Sequence, residues 1–308
     1  MTKTCARILL PPVVLASSRS APMATAPAAL PAALPAATTR WPWPPLISAS
    51  VGLHAAAAGA ALLVPGAESW ALAGVVLNHV GLATAGLWPR SQVLGPNLTR
   101  LPAAAAARGG IAITIDDGPD PDTTPAVLDL LAEHGARATF FCIAERARQH
   151  PALLREIVAR GHDVQNHSQH HRHDFSLRLA PALHREIAQA QDTLAQLTGV
   201  RPHCFRAPAG LRNPLLDPVL HRLGLNLISW TRRGFDTREA DPQRVLARLQ
   251  RRLAAGDILL LHDGHAQRTA QGRAVLLDVL PPLLQRCRAA GLHPVTLQDA
   301  VPPRHAPR

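Results

Sequence analysis

The chain has 308 residues, of which 47% are hydrophobic and 17% are charged. These values are typical of a folded protein and exclude a chain that is disordered throughout. The net charge is +11, and the positive charge is almost entirely arginine because Lys3 is the only lysine. We predict no nucleic-acid partner, since no basic block is interleaved with aromatic residues and tyrosine is absent. A membrane surface or an anionic glycan fits the basic N-terminal third better.

The first 45 residues are rich in Ala, Pro, Ser and Thr, with short repeats such as Ala28 to Pro35. Such a composition does not form a packed core, so we predict a disordered tail. The apolar run Ile8 to Ala16 is interrupted by Pro11 and Pro12, and no clear cleavage site follows it. We therefore do not predict a cleaved signal peptide.

Two uncharged stretches of 19 residues follow, Leu46 to Val64 and Trp70 to Trp88. Each is just long enough to cross a bilayer, and tryptophans flank them as they do at membrane interfaces. We predict a two-helix transmembrane hairpin, with both ends in the cytoplasm because arginines precede and follow it. The alternative is a soluble or weakly inserted helical pair, which the alanine content and His54, Asn78 and His79 favour.

From Ile111 onward, short apolar runs alternate with helical patterns. Such alternation indicates parallel strands covered by helices, with polar residues at the strand ends lining the C-terminal mouth. We predict an α/β fold, a distorted and incomplete (β/α)7 barrel preceded by the helical hairpin. The predicted strands are Ile111 to Ile115, Thr139 to Ile143, Asp163 to Asn166, His203 to Arg206, Leu225 to Ser229, Ile258 to Leu261 and Pro294 to Leu297. The predicted helices lie near Pro125 to His134, Pro151 to Arg160, Pro181 to Leu197, Pro214 to Leu223, Pro242 to Ala255 and Ala274 to Ala290.

A candidate metal site follows the first of these strands. Asp116 and Asp117 come directly after Ile111 to Ile115, and His167 and His171 follow about fifty residues later. Histidines four residues apart share one face of a helical turn, so both can bind one ion while a strand-end carboxylate completes the site. The second carboxylate would then be free for proton transfer.

Five motifs carry a family resemblance. They are Thr114 to Gly118, His167 to His171, Phe205 to Gly210, Ser229 to Thr237 and Leu259 to Gly264. With these motifs in this order, the region from about Gly110 to Ala300 resembles the polysaccharide deacetylases with a NodB homology domain, carbohydrate esterase family 4. The resemblance implies the same incomplete barrel and a metal-dependent deacetylase. The resulting division of the chain is a tail (1–45), a hairpin (46–88), a linker (89–109), the NodB-like domain (110–300) and a tail (301–308).

The resemblance also assigns roles to residues. Asp116 is implied as the catalytic base, with Arg206 orienting it, and His262 as the general acid, tuned by Asp236. Asp117 is implied as a metal ligand.

The resemblance also implies the remaining metal ligands and the substrate contacts. His167 and His171 would complete the site for a divalent metal, which we predict to be Zn²⁺. The backbone N–H of Ala209 would stabilise the oxyanion. Pro208 and Trp230 would contribute to substrate binding, although core packing explains Trp230 equally well.

Three positions depart from the family pattern. Ala209 replaces a Tyr or Phe, Arg233 replaces the first Asp of the fourth motif, and Thr237 replaces its final Trp. The change at Ala209 removes one wall of the sugar site, so it bears on substrate choice and not on the chemistry. The three departures together are the reason to consider a catalytically silent protein.

The predicted function is metal-dependent removal of N-acetyl groups from amino sugars of a polysaccharide or glycoconjugate. One alternative is a deacylase or deformylase of a membrane lipid-linked sugar, which a cytoplasmic domain would fit better than a cell-wall substrate. O-deacetylation, with the same chemistry on an ester, is another. From a different class comes a catalytically silent glycan-binding membrane protein. We predict that the partner is an N-acetylated glycan or a lipid-linked sugar and that the protein is located at a membrane. The sequence does not indicate a protein partner.

Overall fold

The computed structural model describes Thr2 and residues 40–304. Most of the predicted tail 1–45 and the last four residues of the predicted tail 301–308 lie outside the described residues. The described part contains a pair of long N-terminal helices followed by a parallel sheet surrounded by helices.

Every strand pairing in the sheet is parallel. The order is β5-β4-β3-β2-β1-β7-β6, with β8 paired separately to β1. Among the described residues no pairing joins β5 to β6, so the barrel is not closed and is incomplete, as predicted. The strands are β1 (Gly110–Asp116), β2 (Thr139–Cys142), β3 (Asp163–Asn166), β4 (Cys204–Phe205), β5 (Asn226–Leu227), β6 (Arg232–Arg233), β7 (Ile258–His262) and β8 (His293–Pro294).

Strand β1 lies inside the sheet between β2 and β7, and its residues are buried along its whole length. Its last residue, Asp116, is level with Phe141 of β2 and with His262 of β7. The ends of parallel strands meet at one edge of a sheet, so this register brings a carboxylate and an imidazole together at the C-terminal mouth.

Helices cover the sheet, and their apolar faces form its core. In the largest cluster, Leu128 and Leu280 pack with Ile113 and Ile115 of β1. The helices are α1 (Pro45–Leu63), α2 (Glu68–Leu87), α3 (Ala103–Ala107), α4 (Thr124–Glu133), α5 (Ala144–Gln149), α6 (Pro151–Ala159), α7 (Ala180–Thr198), α8 (Leu216–Leu223), α9 (Pro242–Gln250), α10 (Val275–Ala289) and α11 (Leu297–Ala300).

The structure differs from the sequence prediction in its shortest elements. Strand β6 was not predicted, because two arginines carry no apolar signal, so the sheet formed by the described residues has eight strands where seven were expected. The predicted strand Pro294 to Leu297 is divided between β8 and α11, whose N-terminal N–H groups are capped by Thr296. Helices α3, α5 and α11 are too short to show a periodic pattern.

The two N-terminal helices pack against each other as a hairpin. Asn78 donates a hydrogen bond to Ser50 Oγ at 2.8 Å, and the rings of His54 and His79 meet edge to face with centroids 5.1 Å apart. The polar side chains that disfavour insertion therefore face the partner helix. Both helices are long and apolar enough to cross a membrane, and only 6% of each apolar window is buried.

The hairpin is joined to the barrel domain at both of its ends. The indole of Trp41 donates to Asp217 Oδ2 at 2.8 Å. At the end of α2, the N–H of Arg212 donates to the carbonyl of Gly86 at 3.1 Å. A Cβ atom at Gly86 would lie 2.2 Å from the carbonyl oxygen of Arg212, so a glycine is required for this close approach.

Candidate active site

The C-terminal mouth of the sheet contains a pocket of about 200 Å³. Seven of the predicted site residues line it: Asp116, Asp117, His167, His171, Ala209, Trp230 and His262. Arg206 and Asp236 lie behind it, each bonded to a residue of the pocket wall. The lining also includes His173, Gly210, Arg233, Thr237 and Leu260.

Asp117 lies at the centre of a cluster of possible metal ligands. Its backbone has φ of 75°, an unusual value that turns the side chain from the strand toward the histidines. Oδ1 of Asp117 lies 3.2 Å from Nε2 of His167 and 3.3 Å from Nε2 of His171. The three ligand atoms all lie within 4.8 Å of one another.

The donor set fits a divalent cation. Oδ1 of Asp117 is buried and has no hydrogen-bond partner among the described residues, which a cation would correct. Nδ1 of His167 lies 2.8 Å from the carbonyl of Arg206, which can only accept, so Nδ1 carries the proton and Nε2 presents a lone pair. One carboxylate and two imidazoles form a set that suits Zn²⁺ and leaves a coordination position open.

The electrostatics of this cluster also favour a cation. Burial alone would raise the pKa of Asp117, but contacts with His167 and His265 hold that pKa well below its usual value. Burial is the main cause that lowers the pKa of His171 to about 4, so this imidazole is neutral at neutral pH. Both states are those required of metal ligands.

The two histidines do not share a helical turn, so the predicted helical arrangement of His167 and His171 is wrong. They lie in the loop after β3, where Ser168 and His171 have positive φ values of 69° and 51°. Asn166 accepts from the N–H of Ser168, and Ser168 Oγ accepts from the N–H of His171 at 3.0 Å. Side-chain hydrogen bonds therefore fold the loop and bring the imidazoles together.

Asp116 is held by a fully buried arginine. Arg206 Nη1 donates to Asp116 Oδ1 at 2.6 Å and also bonds Thr114 Oγ1. Its other nitrogens donate to the carbonyls of Ile228 and Ser229, and its guanidinium stacks over the ring of Phe141 at 4.1 Å. These bonds leave Oδ2 of Asp116 directed toward His167, at 3.8 Å from Nε2.

A second carboxylate holds His262. Asp236 Oδ1 lies 2.9 Å from Nδ1 of His262, and Oδ2 accepts from the N–H of the same residue at 2.7 Å. Burial alone would lower the pKa of His262, but Asp236, Asp116 and Asp117 raise it to about 9. The imidazole is thus protonated at neutral pH and can act as an acid.

Ala209 forms part of the wall between these groups. It lies in the short 3₁₀ turn Pro208–Gly210 with φ of 55°, a conformation that non-glycine residues adopt rarely. Trp230 packs across the turn, and only 7% of its surface is exposed. A Cβ atom at Gly210 would lie 2.5 Å from the Trp230 ring, so ring and turn are tightly packed. Trp230 therefore both packs in the interior and lines the pocket.

Two residues that support Asp117 were not predicted from the sequence. Nδ1 of His265 lies 2.8 Å from Asp117 Oδ2, and Arg146 Nη2 lies 3.0 Å from His265 Nε2. Arg146 also donates to the carbonyls of Asp117 and Gly264. The signal in the sequence was His265 itself, three residues after the general-acid candidate. His170 instead pairs with Glu186, away from the pocket.

Comparison with known proteins agrees with this geometry. A family model described as polysaccharide deacetylase matches residues 104–228. The peptidoglycan-N-acetylglucosamine deacetylase of Bacillus cereus is 32% identical over 63% of this chain and 89% of its own length. This chain belongs to the polysaccharide deacetylase family, carbohydrate esterase family 4. A chitooligosaccharide deacetylase of Azorhizobium caulinodans is also 34% identical to this polysaccharide deacetylase, over 51% of this chain and 75% of the relative.

The fold of the deacetylase also matches solved structures. A family 4 carbohydrate esterase from Streptomyces lividans, solved in complex with acetate, superposes with a TM-score of 0.57. It is 31% identical and covers 63% of this chain and 98% of its own. The predicted family and the predicted incomplete barrel are confirmed. The hairpin lies outside the family-model match.

Proposed function

We propose that this chain is a metal-dependent deacetylase that hydrolyses the N-acetyl amide of an amino sugar in a glycan. The observation that carries the proposal is the grouping of Asp117, His167 and His171 within 4.8 Å, in one pocket with two further polar pairs. One pair is Asp116 with Arg206, and the other is His262 with Asp236. The relatives from Bacillus cereus and Azorhizobium caulinodans support an N-acetylated glycan as substrate.

Asp117, His167 and His171 would hold the ion, which we propose to be Zn²⁺. A divalent ion supplies Lewis acidity, which makes water more acidic and polarises an amide carbonyl. Oδ2 of Asp116 faces the proposed ion position, at 3.8 Å from Nε2 of His167. It takes the proton from the attacking water, whose oxygen forms a bond to the acyl carbon. Arg206 fixes that carboxylate through the 2.6 Å bond to its other oxygen.

Residues on the other wall of the pocket would complete the hydrolysis. The backbone N–H of Ala209 donates to the oxyanion that forms as the carbonyl is attacked. His262 transfers its proton to the sugar nitrogen as the carbon–nitrogen bond breaks, so the amine leaves neutral and acetic acid forms, which ionises to acetate at neutral pH. Asp236 holds His262 in the protonated form and in the required orientation.

The deciding experiment measures metal content and acetate release together on the full-length protein in detergent. We expect about one equivalent of zinc and release of acetate from chito-oligosaccharides that stops with a chelator and returns with Zn²⁺. An Asp117→Ala protein that still bound one equivalent would contradict the ligand set. Bound metal without acetate from any sugar would favour the silent glycan-binding alternative.

We also propose that α1 and α2 span a membrane, with the domain boundaries given by the sequence. The support is the exposure of apolar side chains on both helices: Leu62 is 84% exposed, Trp70 82% and Leu77 72%. Leaving this much apolar surface in water is unfavourable, whereas lipid accepts it. The arginines before α1 and after α2 would place both ends, and hence the catalytic domain, in the cytoplasm.

A lipid-linked sugar is the second candidate substrate, and one observation favours it. An apolar pocket of about 510 Å³ lies between α2 and the loops that precede α7 and α8. Leu82, Leu87, Leu177 and Leu215 contribute to its walls, and Leu177 is 83% exposed. A lipid chain beside α2 would fill this space. Acetate or formate release from a short-chain lipid-linked amino sugar, compared with the free oligosaccharide, tests this substrate.

A further inference from the structure

The catalytic pocket contains an arginine that has no acidic partner. Arg233 lines the pocket with Asp116, Asp117 and His262. Among the described residues it forms no ion pair, and its buried Nε has no hydrogen-bond partner. Other arginines near the sheet are paired, such as Arg232, whose Nε lies 2.6 Å from Asp257. The two neighbours lie on opposite faces of β6, and only Arg233 faces the pocket.

Aromatic rings hold the Arg233 guanidinium in place. Its Cζ lies 5.4 Å from the ring centroid of Trp230 and 5.1 Å from that of Phe235. Stacking on aromatic faces positions a guanidinium without using its N–H groups, which stay available for an acceptor. The arrangement is that of a preformed binding group.

The nearby carboxylates do not account for this arginine. Asp116 is already bonded to Arg206 at 2.6 Å, and Asp236 accepts two hydrogen bonds from His262. Both therefore have strong partners. The family pattern has an aspartate at position 233, so this chain reverses the charge of the pocket wall. Reversal of a charge beside a reacting group changes which ligands are attracted.

We propose that Arg233 binds an anionic substituent, a carboxylate or a phosphate, on the N-acylated sugar whose amide is cleaved. A guanidinium forms paired hydrogen bonds with either group. The preferred substrate is therefore an acidic amino sugar. This inference rests on the proposed function, because it concerns the same pocket.

The test compares acidic and neutral sugars. The carboxylate probe is an oligosaccharide that alternates N-acetylglucosamine with N-acetylmuramic acid, and its neutral partner is a chito-oligosaccharide of equal length. The phosphate probe is N-acetylglucosamine 1-phosphate, and its neutral partner is N-acetylglucosamine. Acetate release by the full-length zinc-loaded protein gives kcat/KM, and calorimetry in an Asp116→Asn background gives affinity.

We expect the wild type to prefer at least one acidic probe over its neutral partner. Arg233→Met should reduce that acidic-to-neutral ratio about tenfold to a hundredfold, the effect of losing a charged hydrogen-bonded pair. Arg233→Lys keeps the charge but loses the paired N–H donors of the guanidinium, so it should reduce the ratio less. Arg248→Met is the matched control, because Arg248 packs on Phe235 with its Cζ 5.8 Å from the ring yet does not line the pocket. This control should keep the wild-type ratio.

The outcomes separate this inference from the proposed function. A wild-type ratio near one for both acidic probes, or a ratio that Arg233→Met leaves unchanged, overturns the inference while acetate release upholds the function. Arg233-dependent binding of an acidic probe without acetate release from any sugar upholds the inference and overturns the function. Preference for only one acidic probe supports the inference and identifies the anionic group.

Discussion

Asp117 Oδ2 accepts a hydrogen bond from His265 Nδ1 at 2.8 Å, while Oδ1 faces the two histidines of the candidate metal site. Arg146 can only donate, so Nε2 of His265 must accept from it, and Nδ1 must carry the proton. The hydrogen bonds therefore run in one direction, from Arg146 to His265 and from His265 to Asp117. It prevents the carboxylate from rotating away from the metal position.

We therefore predict that His265→Ala weakens zinc binding by about tenfold to a hundredfold, as loss of a support to a metal ligand usually does. Competition with a chromophoric chelator measures the affinity independently of activity. His265→Asn, which retains a donor, should recover part of the loss. His170→Ala is the control, because His170 pairs with Glu186 outside the pocket and should leave the affinity unchanged. Equal affinity in wild type and His265→Ala would refute the role of His265.

The two neighbouring aspartates should give different phenotypes. Asp117→Ala removes a proposed ligand, so metal and activity should be lost together. Asp116→Asn keeps the shape of the side chain but cannot accept a proton, so zinc should remain at one equivalent while kcat falls about a hundredfold or more. Metal analysis and acetate release on the same samples distinguish the two. Loss of zinc from Asp116→Asn would show that both carboxylates bind the ion.

Asp236 should control the alkaline side of the pH–activity profile. His262 must be protonated to act as an acid, so activity is lost as the pH rises through its pKa, which is about 9. Asp236→Asn removes the negative charge, so the pKa of His262 should fall toward the ordinary imidazole value of about 6.5 and the alkaline limb should move to lower pH. The profile of kcat against pH measures this. An unmoved limb in a folded variant would assign the limb to another group.

His162 should make the fold less stable in mild acid. It is buried, and its Nδ1 accepts from the N–H of Ala138, which requires a neutral ring. Burial, with the charges of Arg160 and Arg137, lowers its pKa to about 4. Between about pH 6.5 and that value the unfolded chain binds the additional proton, so stability falls as the pH falls.

A neutral replacement tests this pH dependence. His162→Gln should unfold with a weaker pH dependence across this window, although its stability at pH 7 should be lower than that of the wild type. Denaturant unfolding at pH 7 and pH 5 gives the two free energies. His134→Gln is the control, because His134 lies at the end of α4 and is only half buried. Equal pH dependence in His162→Gln and the wild type would contradict the prediction.

Membrane insertion should depend on the exposed face of α2. Leu77→Arg puts a charge on a position that is 72% exposed, and a central arginine opposes insertion by roughly 2.5–3.5 kcal/mol. We expect more of this variant in the soluble fraction after carbonate extraction. Val200→Arg, which introduces the same charge at an exposed apolar position of the catalytic domain (44% exposed), should stay with the membranes. A wild type that is extracted by carbonate would overturn the spanning hairpin.

The sequence by itself determined the alternation of strands and helices and seven of the residues that line the candidate site. Apolar runs such as Ile111 to Ile115 can be recognised because β1 is buried along its whole length. Five motifs in order then identified the family. The same pattern predicts where the strands end. Asp116 and His262 could therefore be placed at the same edge of the sheet, although the sequence does not show that they are register partners.

The tertiary structure alone decided what surrounds these residues. No local pattern predicts that Arg146 and His265 meet Asp117, because the three are far apart in the chain and the contacts depend on how helix α5 and the loops after β1 and β7 converge. The same holds for β6, whose two arginines are ordered by pairing with β7 and point to opposite faces. Long-range packing therefore fixed the orientation of each charge, and orientation decides whether a charge stabilises the fold or remains available to a substrate.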